Sequence, residues 1–125
     1  MEYKINDSSV LFFDFLRFCL KEDAKEPANL ANIDWEELYN FGNKQAILGV
    51  LFHGIKRLSA SPHRPTKGQI LKWYSACSFI EQANRQTYKD ANALTILFRE
   101  KYGVCSCVLK GQTNALMYPD PYMRT

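Results

Sequence analysis

The stretch Val104–Thr125, VCSCVLKGQTNALMYPDPYMRT, decides whether the chain is wholly helical or begins an α/β unit. Val104–Leu109 is a compact apolar run interrupted only by Ser106. Pleating would put Cys105, Cys107 and Leu109 on one face and Val104, Ser106 and Val108 on the other. Both faces are largely apolar, which predicts a short strand covered on both sides. Lys110-Gly111 follows at once. A glycine there permits a sharp turn and the close approach of another group. Gln112–Tyr118 then predicts a short helix, whose free N–H groups favour an anion near Gly111. Lys110 adds a mobile positive charge at the same place. Pro119-Asp120-Pro121 ends that helix in a turn. On these residues alone, a tight turn beside a solvated lysine is the simpler explanation, and an anion site is the sharper one.

The order Val108-Leu109-Lys110-Gly111, Ala115-Leu116, Tyr118-Pro119, Pro121 and Arg124 resembles the opening of a family of uncharacterised bacterial nucleotidyltransferases. That family is in turn similar to the polymerase-β-like nucleotidyltransferases. The resemblance covers Val108–Thr125; the region ahead of it matches only in helical character. It implies that Lys110, Gly111 and Arg124 contact a nucleoside triphosphate (NTP). It also implies an Asp-x-Asp pair on the next strand, binding Mg²⁺ and positioning the nucleotide for transfer of its nucleoside monophosphate (NMP) to an acceptor. That pair is missing before Thr125. No other carboxylate pair replaces it: Asp7 and Asp14, Glu22-Asp23 and Glu36-Glu37 all sit in helical or surface contexts away from Lys110-Gly111. The expectation is therefore the front part of such an enzyme, with no catalytic residue or metal ligand in this chain. Alone, it is expected to be inactive and to bind neither Mg²⁺ nor NTP tightly.

Immediately upstream lies the longest predicted helix, Lys67–Tyr102. Thr66 and Gln69 form a capping box at its start and Gly103 closes it. Its stripe is Ile70, Trp73, Cys77, Ile80, Asn84, Thr87, Ala91, Leu94 and Phe98, with the three-four spacing of a helix packed along its length. Asn84 and Thr87 break the stripe. Either they surface or they are hydrogen-bonded inside; the sharper alternative is that Asn84, Arg85 and Tyr88 line a substrate cleft.

Further upstream, SASPHRP (Ser59–Pro65) is a loop by composition, and its His63-Arg64 reads as a solvated turn. A helix over about Lys44–Leu58 buries Ile47, Leu48, Leu51, Ile55 and Leu58, with His53 partly exposed. The helix before it starts at Asp34, which caps it; Glu37 holds the capping-box position, Ile33 staples onto Leu38, and Gly42-Asn43 ends or kinks it. Val10–Leu20, VLFFDFLRFCL, is an apolar helix capped by Asp7 or Ser8. Asp14 and Arg17 can pair across one turn of it. Its stripe of Phe12, Phe15, Leu16 and Cys19 leaves little polar face, which predicts a central position. It is too short and too charged to span a bilayer.

These elements make a mainly α fold of about five helices with one short C-terminal strand, divided into a helical domain at 1–103 and the start of a catalytic core at 104–125. With 16 basic and 13 acidic residues the net charge is +3, too balanced to indicate nucleic-acid binding. Cys19 and Cys77 read as buried thiols, and Cys105-Ser106-Cys107 lacks the spacing of a redox or zinc motif. The setting expected from reduced thiols and the absence of a signal peptide is the cytoplasm. An unpaired strand at 104–109 predicts pairing with a second copy or a poorly ordered tail. The functional alternatives are a helical protein–protein interaction module and, least favoured, a nucleic-acid-binding domain. The acceptor of the implied transfer is not legible.

Overall fold

Four α-helices account for most of the chain: α1 (Asp7–Leu20), α2 (Trp35–Lys44), α3 (Leu48–Arg57) and α4 (Lys67–Tyr102), with 3-10 turns at Leu30–Asn32 and Pro121–Met123. This computed structural model describes residues 7–58, 60–111 and 116–124.

The helix ends follow local chemistry. Asp34 caps α2, its carboxylate accepting from Glu36 N and Glu37 N at 2.9 and 3.0 Å. This satisfies two of the free donors at the helix start. Thr66 and Gln69 close a reciprocal capping box on α4, and Gly103 ends it in the left-handed conformation at φ +65°. The break between α2 and α3 falls after Gly42, at Ala46, whose φ of 57° places a non-glycine residue in the left-handed region. α3 accordingly starts at Leu48, later than periodicity suggests.

The core is one aromatic-rich cluster. α1 contributes Phe12, Phe15, Phe18 and Cys19; α2 Trp35 and Leu38; α3 Leu48, Leu51, Phe52 and Ile55; α4 Trp73 and Cys77. The central helix is α3, which contacts α1, α2, α4 and the Pro121–Met123 turn, whereas α1 packs mainly on α3; in α1 Phe18 rather than Leu16 completes the buried face and Phe13 stays exposed. Rings meet edge to face where Phe15 reaches Trp35 and where Tyr39 reaches Trp73, at 5.4 and 5.2 Å between centroids. That geometry suits the quadrupoles of both rings. Asp14 and Arg17 pair at 3.2 Å on the outer face. Arg57, at the end of α3, donates to the carbonyls of Phe18, Lys21, Glu22 and Ala24 and lies over the Phe18 ring. It satisfies the free carbonyls at the end of α1 and the start of its loop.

Two expectations are corrected. There is no strand among the described residues, and Val104–Leu109 is exposed without regular secondary structure. A strand needs a partner for its backbone groups, and none of the described residues supplies one. Nor is a fifth α-helix found among the described residues: Leu116–Tyr118 forms turns and a bend, while Gln112–Ala115 lies outside them. The described residues are thus mainly α, with four α-helices. α4 is 36 residues long, about 54 Å at 1.5 Å per residue, and only its first half is packed on the core. Beyond Ile80 its apolar residues are largely uncovered, Leu94 being 50 % and Tyr102 60 % exposed.

Candidate functional site

The segment after α4 returns to the helical base and docks there through its last residues. Tyr122 and Met123 are buried, Tyr122 packing edge to face on Phe52 at 6.0 Å. α3 makes room for them at Gly49. A Cβ on Gly49 would stand 1.9 Å from Tyr122 O and 2.6 Å from Met123 Cα, so only glycine admits this backbone.

Polar contacts fix the same segment. Asn84, near the middle of α4, donates through Nδ2 to Pro121 O at 2.7 Å and to Arg124 O at 2.6 Å. The Tyr122 hydroxyl donates to Asp120 Oδ2 at 2.7 Å and accepts from Lys56 Nζ. His53 Nδ1 is buried 3.7 Å from the same carboxylate oxygen, and Lys56 Nζ lies 4.0 Å from it. Burial first, then donation to Asp120, pushes the Tyr122 phenol above its ordinary range, so it remains a hydrogen-bond donor.

This docking brings Arg124 to the Lys110-Gly111 turn. Gly111 is left-handed at φ +71°, and a Cβ there would stand 3.5 Å from Nη2 of Arg124. Lys110 is exposed beside it. The turn and the arginine, far apart in sequence, therefore meet in space. A glycine backbone, a guanidinium and an adjacent ammonium together can receive an anion with several oxygens.

Asn84, Arg85 and Tyr88 line a cleft between α4 and the returning segment, of about 480 Å³, completed by Lys89, Leu116, Tyr118, Pro119 and Pro121. Arg85 is held by Glu81 one turn earlier, at 3.0 Å from Nε and 2.7 Å from Nη2. Asn84 belongs to both places, lining the cleft and holding the backbone of Arg124. Thr87, the other polar break of the stripe, is exposed and bonds back to Ala83 O at 2.9 Å. Sequence reasoning named His53 only as a partly exposed helix residue and Asp120 only as part of a turn, and passed over Lys56 and Gly49. The available signal was weak: an Asp between two prolines and a His-Lys pair one turn apart on α3.

The donor set for a divalent cation does not fit. No group of three or more His, Cys, Asp or Glu residues that could hold a metal ion occurs among the described residues. Asp120, the carboxylate nearest the turn in sequence, accepts from the Tyr122 hydroxyl and lies 4.0 Å from Lys56 Nζ. Cys105 and Cys107 are exposed free thiols, whereas Cys19 and Cys77 are buried. No described helix is long and apolar enough to cross a membrane.

Among known proteins, the family described as "Uncharacterised nucleotidyltransferase" matches residues 31–125, which takes in α2, α3, α4 and the whole returning segment. No curated protein and no solved structure matches the chain. The chain belongs to this uncharacterised nucleotidyltransferase family.

Proposed function

We propose that this family member contributes the triphosphate-contacting turn of a nucleotidyltransferase, with Lys110, Gly111 and Arg124 on the phosphates. The observation that carries the reading is the meeting of left-handed Gly111 with the Arg124 guanidinium. Nucleotidyltransferases use a nucleoside triphosphate and a divalent metal. In the reaction an acceptor nucleophile bonds to the α-phosphorus, the bond to the pyrophosphate oxygen breaks, and pyrophosphate leaves. The part assigned to this chain is binding and orientation. Gly111 lets a phosphate approach its backbone, and Arg124 and Lys110 offset its charge. Asn84, with the Asp120–Tyr122–Lys56 contacts, holds Arg124 in place. The described residues lack a metal-binding carboxylate set, so no step is assigned through Mg²⁺, and the chain by itself is proposed not to turn over. Asn84, Arg85 and Tyr88 are assigned to an acceptor cleft.

Titration with ATP, GTP, CTP and UTP, with and without Mg²⁺, tests the reading on this chain and on a version continued through an Asp-x-Asp strand. The continued version is expected to bind an NTP in a Mg²⁺-dependent way, and Arg124→Ala to weaken it by about tenfold, the loss of one charge-assisted contact. Absence of binding by both versions would remove the assignment.

A second reading, a helical interaction module, is favoured by the uncovered apolar residues of distal α4, where Leu94, Leu97, Phe98 and Tyr102 are exposed. It predicts a tight homodimer or partner complex without nucleotide binding.

A further inference from the structure

The cleft beside Asn84 has a composition more specific than its depth requires. Two aromatic rings face it, Tyr88 from α4 and Tyr118 from the returning segment, 53 % and 43 % exposed. Pro119 and Pro121 add flat apolar surface, and Arg85 and Lys89 stand one helical turn apart on α4. No carboxylate among the described residues lines it: Glu81 is engaged by Arg85, and Asp90 accepts from Gln86 at 2.8 Å. The Lys89 ammonium has no hydrogen-bond or ion-pair partner among the described residues. At about 480 Å³ the space suits a single small molecule or a terminal group of a larger one.

We infer that this cleft binds a planar aromatic group carrying a negative charge, an aryl phosphate or aryl carboxylate, with the ring between Tyr88 and Tyr118 and the anion on Lys89 and the free edge of Arg85. Ring stacking and charge act on different parts of such a ligand, so neither a neutral aromatic nor a bare anion reproduces its affinity. A neutral apolar occupant leaves the Lys89 ammonium against an uncharged surface, while Arg85 stays paired with Glu81. Naming the occupant as the acceptor rests on the nucleotidyltransferase reading; the binding chemistry does not.

Calorimetric titration of the whole chain with phenyl phosphate tests the inference, with phenol and inorganic phosphate as its two halves. Phenyl phosphate is expected to bind about tenfold more tightly than either half, because stacking and ion pairing combine. Tyr88→Ala and Lys89→Gln are each expected to weaken it by about fivefold with the melting temperature unchanged, since both side chains are exposed. Affinity no better than the halves, or undiminished wild-type affinity in both variants, overturns the site. ATP with Mg²⁺, titrated into the version continued through an Asp-x-Asp strand, supplies the second arm. Retention of phenyl phosphate at saturating ATP supports an acceptor site. Displacement overturns that assignment and makes the cleft the pocket of the nucleotide base. Phenyl phosphate binding without any ATP binding supports the cleft while removing the triphosphate assignment.

Discussion

At the residue scale, single side chains hold distant parts of this chain together. Arg57 is the clearest case, because one guanidinium meets four backbone carbonyls from Phe18 to Ala24. Lysine has one ammonium and no fork, and cannot reach that set. Arg57→Ala is expected to cost about 2–3 kcal/mol, and Arg57→Lys to recover less than half of it, in urea titrations with unchanged slope. Recovery by lysine would show that charge alone matters. The thiols divide just as sharply. Burial pushes Cys19 and Cys77 from 9.0 up to about 12, with Arg57 and Lys56 respectively drawing them part of the way back. Cys105 and Cys107 are exposed. Two thiols are therefore expected to react quickly with a thiol reagent at neutral pH and two only on unfolding. Between pH 9 and 12 the unfolded chain loses these two protons while the folded chain keeps them. Their contribution to stability is thus complete below pH 9 and is lost as pH rises toward 12. A thiol-dependent rise in stability over that range would contradict the assignment.

At the scale of elements, α4 is the instructive one. Its two ends were legible because caps are local chemistry: Thr66 and Gln69 at one end, Gly103 at the other. Thr66→Ala is expected to cost about 1 kcal/mol in thermal unfolding, the usual value of a lost N-cap, and Thr66→Ser to restore most of it. A negligible loss would mean that the start of α4 is held by core packing alone. Periodicity was a poorer guide to what covers the helix. Trp73 and Cys77 are buried as the stripe predicts, whereas Leu94 and Phe98 continue the same stripe on a largely open surface. Apolar spacing marks a face that can be buried and is silent on whether a neighbour lies there. The predicted strand at 104–109 fails for a related reason. An apolar run states a preference, and a strand exists only when a second backbone accepts its hydrogen bonds.

At the scale of the whole molecule, docking of the 120–124 segment joins the helical base to the Lys110-Gly111 turn. Gly49→Ala places a Cβ against the Tyr122 backbone, which has no side-chain freedom to yield. Hydrogen exchange is expected to show faster exchange of the Met123 amide, now bonded to Asp120 O at 3.1 Å, while amides in α1 keep their protection. Unchanged protection at Met123 would mean that the segment is held independently of α3. By itself the sequence determined the helical class, the starts of α2 and α4, the buried thiols and the family-like order from Val108 to Arg124. These depend on capping, periodicity and residue order, which act over a few positions along the chain. Only the tertiary structure decided that Asn84 holds the backbone of Arg124, that Gly49 admits Tyr122, and that Arg124 reaches Gly111. Those contacts join positions remote in sequence, and they exist only because the packed helices carry the returning segment back onto α3 and α4.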